Sequence, residues 1–221
     1  MIITGWGNNK IIRSDIFYPE NEQEIIKILE KLNNEGIITR GLGRSYGDMS
    51  LYKNTLSLER YSKIFELDEK NGILNCSSNL SIAEILEKIV RKGWFLNVTP
   101  GSKYVTIGGA IASDVHGKNH HKDGSFSEYV EEIKIITPDG KINICSNKSE
   151  SELFKATCGG AGLTGVIVSI KLKLLKIKSK NLDVEIFKTN SIDDTIQKFK
   201  ELNENKYLVA WLDTINKKNF G

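Results

Sequence analysis

The chain has 221 residues, 39% of them hydrophobic and 27% charged, with a net charge of +3, which allows one large domain, or one and a half small ones, around a real core. That charge is too mild and too evenly mixed to argue for nucleic acid or for a strongly anionic membrane surface as partner. No apolar run approaches the roughly 18 residues of a membrane span, and the three scattered cysteines, Cys76, Cys145 and Cys158, fit neither a disulfide framework nor a zinc site.

The first ten residues, MIITGWGNNK, lack a charged segment followed by an apolar run, so no signal peptide is read there. The expectation is a reducing, cytoplasmic setting, with membrane association at most peripheral. Residues 1–19 read as an arm laid over the domain. Asn21 then reads as an N-cap with Glu24 as its capping-box partner, and Ile25, Ile28, Leu29 and Leu32 give one apolar helix face that Gly36 ends. Residues 37–39 make a short buried strand that feeds into residues 40–48, RGLGRSYGD. Gly41, Gly43 and Gly47 let successive N–H groups form an anion nest, Ser45 adds a hydroxyl donor, and Arg40 or Arg44 adds positive charge. No GK[ST] follows the glycines and no long amphipathic helix opens after them, which disfavours a Walker loop and a dinucleotide-fold fingerprint.

Strands are expected at 55–58, 64–67 and 73–77, then a second capped helix from Ser81 with Glu84 as box partner, ended by Gly93, and a strand at 95–98. Residues 100–121, PGSKYVTIGGAIASDVHGKNHH, follow. Gly108 and Gly109 carry no Cβ and let the backbone approach a partner closely. A short helical turn over residues 110–113 would offer free N–H groups as an anion seat, with the polar tail 114–121 beside it. A buried glycine-rich turn is the plainer alternative. Residues 133–137 and 141–145 read as a hairpin about Pro138-Asp139-Gly140, and residues 152–156 as a short helix. A third glycine cluster, GGAGLTG at 159–165, leads into a strand at 166–177 with Val166, Val168, Ile170, Leu172 and Leu174 on one buried face. Polar residues 178–181 mark a boundary. A strand at 182–187, a helix near 191–203 and a strand at 207–212 read as the start of a further βαβ-like unit, so the chain reads as a fragment or as lacking a second domain.

RGLGRSYGD, TIGGAIASDVHGKNHH, the GSF at residues 124–126 and GGAGLTG before a strand together resemble the flavin-linked oxidases of the vanillyl-alcohol-oxidase (PCMH-type) superfamily, over roughly residues 5–175 and weakly at Trp211-Leu212-Asp213. The resemblance implies an α+β fold: an FAD-binding domain of two α/β subdomains over residues 1–177, then the incomplete beginning of a substrate (cap) domain over residues 178–221. It implies bound FAD. Arg40, Gly41, Leu42, Gly43, Arg44, Ser45, Tyr46, Gly47 and Asp48 would form the pyrophosphate loop. Gly101, Thr106, Ile107, Gly108 and Gly109 would hold the diphosphate and ribityl portion. Ser113, Asp114, Val115 and His116 would run along the flavin ring, and Ile167 would contact the nucleotide through its backbone. Many members carry, where this chain has Arg44, a histidine that bonds covalently to the flavin, so the FAD here is expected to be non-covalent.

The resemblance also implies oxidation of a secondary hydroxyl on a sugar or polyprenyl-phosphate sugar by hydride transfer to the flavin. Tyr46, His116 and Lys118 would face the substrate side. The plainer alternatives are a loop-fixing His116, a solvated Lys118 and a Tyr46 that only packs. The family's main base, a lysine near the C-terminus, has no counterpart in these 221 residues. A separate short-chain NAD(P)H reductase is the implied partner, completing an epimerisation. Adjacent His120 and His121 without a matched carboxylate read as loop polar groups, and no metal site is expected. An aldonolactone or alditol oxidase and a non-catalytic FAD-binding fragment are the rival readings.

Overall fold

The computed structural model describes residues 1–212. The expected arm is built of strand: β1 (Ile2–Thr4) pairs antiparallel with β2 (Ile11–Arg13), and β3 (Asp15–Phe17) follows. Asn21 caps α1 (Glu22–Lys31), its side chain accepting from the Glu24 amide at 3.0 Å. Glu24 reaches back to the Glu20 amide at 2.9 Å, one residue before the cap. Next come β4 (Ile38–Arg40) and β5 (Asn54–Ser57), which with β3 form a parallel sheet in the order β3-β5-β4. Burying Ile25 and Leu29 of α1 against Leu56 and Leu58 closes this subdomain, at about 1.5–3 kcal/mol per fully buried side chain.

The second subdomain begins with β6 (Phe65–Asp68) and β7 (Ile73–Ser77), then α2 (Ile82–Ile89) and a 3₁₀ turn that Gly93 ends at φ +77. It continues through β8 (Trp94–Leu96), α3 (Ile107–Ala112), α4 (His120–Asp123), β9 (Val130–Ile136), β10 (Ile142–Cys145), α5 (Ser151–Thr157) and β11 (Val166–Lys176). The strands form an antiparallel sheet in the order β10-β9-β11-β7-β6, and β8 pairs with the far end of β11. The apolar faces of α2 and α3, Ile82, Ile85, Ile89, Ile107 and Ile111, are fully buried against it.

Strand β11 departs from the single face read in the sequence. Its register against β9 slips between Ile167 and Ser169, so one extra residue bulges. Val166 and the bulged Val168 enter the small core with α1; after the slip Ile170, Leu172 and Leu174 enter the large core. A one-residue slip reverses the faces, and here it lets one strand serve both subdomains. A partly buried ion pair, Lys134 to Glu22 at 2.6 Å, links them as well.

The capping box on α2 is complete: Ser81 Oγ accepts from the Glu84 amide and Glu84 accepts from the Ser81 amide. Lys63 donates to Glu84 at 2.6 Å, and with the Ser81 donors it holds that carboxylate down at about 2 against an ordinary value of 4.5. A depressed folded value gives stability that is present above the ordinary value and lost as pH falls toward the folded one. Glu84 is part-exposed, so the contribution is about 0.5–1 kcal/mol. Glu84→Gln should lower Tm at pH 7 and converge with wild type in the acid range; a gap that is constant with pH would contradict this.

The expected strands at 182–187 and 207–212 do not form: both segments are without regular structure. Leu182, Val184 and Ile186 are exposed and find no strand to pair with among the described residues, and a β pattern without a ladder partner is not a strand. The helix between them forms as α6 (Ile192–Glu201), capped by Ser191. Asp213 lies outside the described residues.

Candidate functional site

Strand β4 delivers the chain into residues 40–48 beyond the carboxyl end of a parallel sheet, where α/β proteins bind ligands. Gly43 and Gly47 sit at φ +66 and +65. Among the described residues, the backbone N–H groups of residues 42–47 donate to no protein acceptor. The loop therefore presents a run of open donors, as an anion site requires. Arg40 anchors it: Nη1 donates to the Ser50 carbonyl and hydroxyl at 3.3 and 3.0 Å, and Nη2 to the Thr4 carbonyl at 2.7 Å. Burial, then the neighbouring Arg44, lowers the Arg40 pKa from its ordinary value. The Arg44 guanidinium lies 5.2 Å from the Trp6 ring and donates to the Leu42 carbonyl at 2.7 Å. Asp48 pairs with Lys10 at 2.8 Å, which lowers its pKa.

Helix α3 comes close to this loop. A Cβ on Gly41 would collide with Thr106 Oγ1, and one on Gly108 would lie 2.9 Å from Ser78 Cβ. The anion seat expected at the helix start is not offered, because its first amides are engaged. Ile107 N donates to Leu80 O at 2.8 Å, Gly108 N to Ser78 O at 2.9 Å and Gly109 N to Thr106 Oγ1 at 3.2 Å. The first two bonds dock the helix onto the turn after β7, and the third is its own N-cap. The third glycine cluster closes the other end of α3: Gly159 N donates to Ile111 O at 2.9 Å and Ala161 N to Ala112 O at 2.8 Å.

The three glycine segments wall one cleft of about 470 Å³, an ordinary size for a small-molecule site. Of the residues named from the sequence, Arg40, Gly41, Leu42, Gly43, Arg44, Ser45, Thr106, Gly108, Gly109, Ser113, Val115 and Ile167 line it. Ile107 is buried in the large core, while its neighbours face the cleft. Tyr46, Gly47, Asp48, Gly101, Asp114, His116 and Lys118 lie off the lining. Sequence reasoning missed a polar group on the wall: Ser57, Lys63, Ser78, Asn79 and Glu84. The available signal was Ser77-Ser78-Asn79 directly after a strand and before a helix cap.

Tyr46 is 73% exposed. Asp114 sits at φ +38, and its carboxylate accepts from Ser125 Oγ at 2.8 Å and Ser127 N at 2.9 Å, fixing the GSF segment. His116 is exposed, its ring 5.4 Å from that of His120. Gly117 and Lys118 line a second hollow of about 830 Å³ with His120, His121 and the α6 side chains Ile192, Ile196 and Phe199. Leu208 N donates to Lys118 O at 2.9 Å, and Lys122–Glu204 and Lys206–Asp123 ion pairs of 3.0 and 3.2 Å hold the segment after α6 against α4. Residues 113–118 thus run from the wall of the cleft to the wall of the hollow, with His116 between. Among the described residues no three His, Cys, Asp or Glu side chains gather to hold an ion. Burial pushes the Cys76 and Cys158 thiols up to about 12 and Cys145 to about 11, so none is a ready nucleophile.

A family model described as an FAD binding domain matches residues 14–146, more than half of the chain. The chain is 30% identical, over 97% of its length, to the decaprenylphosphoryl-beta-D-ribose oxidase of Mycolicibacterium smegmatis, of which it covers 48%. It is 26% identical, over 70% of its length, to a putative D-arabinono-1,4-lactone oxidase of Neurospora crassa, covering 28% of that protein. It is 25% identical, over 54% of its length, to a D-lactate dehydrogenase of Anaerostipes hadrus, covering 26% of it. The chain spans about half the length, or less, of these curated relatives.

Proposed function

The chain belongs to the FAD binding domain family and FAD is its cofactor, and on that footing we propose that it holds the flavin for oxidation of a secondary hydroxyl on a sugar or polyprenyl-phosphate sugar. The residues fit a dinucleotide: open amides at 42–47, glycines at 41 and 43 that let the loop pack tightly on Thr106 and Arg40, and a cleft of about 470 Å³. The diphosphate rests on the open amides, that of Ser45 among them, while the Ser45 hydroxyl donates to Ser50 Oγ at 3.0 Å. Thr106, Gly108 and Gly109 form the opposite wall and Ile167 the nucleotide end, with Gly101 near the diphosphate. Bound FAD supplies a hydride acceptor for a carbinol carbon. The observation that carries the reading is the passage of residues 113–118 from cleft to hollow. His116 and Lys118 then stand where the hydroxyl is presented, as hydrogen-bond partner and positive charge, and Tyr46 borders the same side. The flavin unit occupies residues 1–177, with β11 as its last strand, and residues 178–221 begin the substrate unit.

The polyprenyl-phosphate sugar follows from the name of the mycobacterial relative. A keto-sugar product would pass to a short-chain NAD(P)H reductase, completing an epimerisation. Among the described residues no helix is long and apolar enough to cross a membrane, and contact with a lipid-borne substrate would be peripheral. The lactone-oxidase relative supports a second reading, oxidation of an aldonolactone at the same site. Adding a short-chain polyprenyl-phosphoryl ribose, or an aldonolactone, to the FAD-loaded protein without oxygen separates them. Bleaching of the flavin by the first alone supports the leading reading, bleaching by the lactone alone the second, and bleaching by neither counts against both.

Arg44 stands where a covalent histidine link would have to form, and a guanidinium does not make one. Acid precipitation should therefore leave all flavin in the supernatant, and flavin in the pellet would contradict a dissociable cofactor.

A further inference from the structure

The β1–β2 hairpin touches the glycine loop at five separate points. Thr4 O accepts from Arg40 Nη2 at 2.7 Å, and Trp6 N donates to Ser45 O at 3.1 Å. Trp6 also faces the Arg44 guanidinium at 5.2 Å, and Lys10 pairs with Asp48 at 2.8 Å. Gly5 packs so closely that a Cβ there would lie 2.5 Å from Gly47 O and 3.2 Å from Ser45 O. A peptide plane holds its C=O and the following N–H antiparallel. Engaging Ser45 O on the hairpin therefore turns the Tyr46 N–H away from the hairpin, and engaging Leu42 O with Arg44 turns the Gly43 N–H away from Arg44. Arg40 joins the two bodies: its fork spans Thr4 on the hairpin and Ser50 beyond the loop, and Gly43 lies directly against it.

We infer that the hairpin and Arg40 form a clamp that sets the glycine loop in its binding shape, Arg40 acting as a positioning residue through its geometry rather than as a cation on the phosphates. The inference rests on FAD as the occupant of the cleft. Linkage then runs both ways: a clamped loop binds FAD more tightly, and bound FAD holds the hairpin closed. A lysine keeps the charge of Arg40 but cannot span two acceptors with a planar fork.

The test measures FAD affinity by quenching of flavin fluorescence, and hydrogen exchange of the peptide covering residues 1–13 with and without FAD. In the wild type, FAD should slow exchange of that peptide. Arg40→Lys should weaken FAD binding about tenfold, as much as Arg40→Met, and should abolish the FAD-dependent protection. Gly5→Ala, which leaves Arg40 in place, should weaken binding in the same direction, with the apo far-UV spectrum unchanged. Arg40→Lys binding like wild type while Arg40→Met fails would make Arg40 a phosphate cation and overturn the clamp. So would a hairpin that FAD does not protect, or wild-type affinity in Gly5→Ala. Wild-type protein that takes up no FAD would instead overturn the cofactor assignment, and the clamp with it.

Discussion

Gly43→Val should strip the protein of FAD while leaving its fold standing. Gly43 sits at φ +66, where a β-branched residue is strained by roughly 1–2 kcal/mol or more. Space is the second obstacle, because its Cβ would run into Arg40 Nη2. That guanidinium cannot simply retreat, since it is tied to Thr4 and Ser50 and is partly buried. Either Arg40 leaves its acceptors or the loop moves off them, and both scatter the open amides of residues 42–47. An affinity loss of at least about a hundredfold is expected, equivalent to roughly 3 kcal/mol. The loop lies outside both apolar clusters, so the apo Tm should move by only a few degrees. Flavin titration beside apo circular dichroism checks both halves. Wild-type FAD retention in a folded Gly43→Val would remove residues 40–48 from the diphosphate.

Where local chemistry decides the structure, the sequence was readable. Asn21 and Ser81 announced their helices because a cap is a contact within three residues, and both bonds are present. Gly36, Gly93 and Gly140 stop or turn the chain at positive φ. The α+β class and the flavin family were also legible, because glycine-rich turns must keep their glycines where backbones meet. What failed needed a distant partner. The amides at the start of α3 looked free until the turn at residues 78–80 folded onto them. Leu182, Val184 and Ile186 alternate like a strand, yet among the described residues no neighbouring strand takes them up. The bulge in β11 is invisible in an alternating run, because only its register against β9 shows that Val168 and Ile170 enter different cores. The same limit applies to the site. The loops that line the cleft declared themselves by composition, whereas the role of Arg40 depends on a carbonyl 36 residues earlier in the chain.

Gly165→Ala should damage the fold itself, and by far more than the same change at Gly162 of the same cluster. Gly165 has φ +149, and a Cβ there would strike the Ile136 carbonyl oxygen, with Ile136 C at 3.0 Å and Thr137 Cα at 3.1 Å. Those atoms are backbone of the neighbouring strand, so no side chain can rotate away. The residue after it, Val166, makes the first pair of β11 with Ile136, and β11 is the strand on which β9, β7 and β8 all assemble. Pushing its start outward draws Val166 and Val168 from the small core and loosens Ile136, three side chains that join the two subdomains. A loss of about 3–5 kcal/mol is expected, or a Tm lower by roughly 10 °C for a domain of this size. Gly162→Ala is the milder comparison: its φ of +77 is close to the left-handed helical region, and nothing lies within 4 Å of a Cβ there. Only conformational strain remains there, about 1 kcal/mol. Thermal melts of the two variants therefore show how far collision and the more extreme φ at Gly165 exceed ordinary left-handed strain. Equal, small losses would mean that β11 can start without close approach to Ile136, and that the two subdomains are not joined at this point.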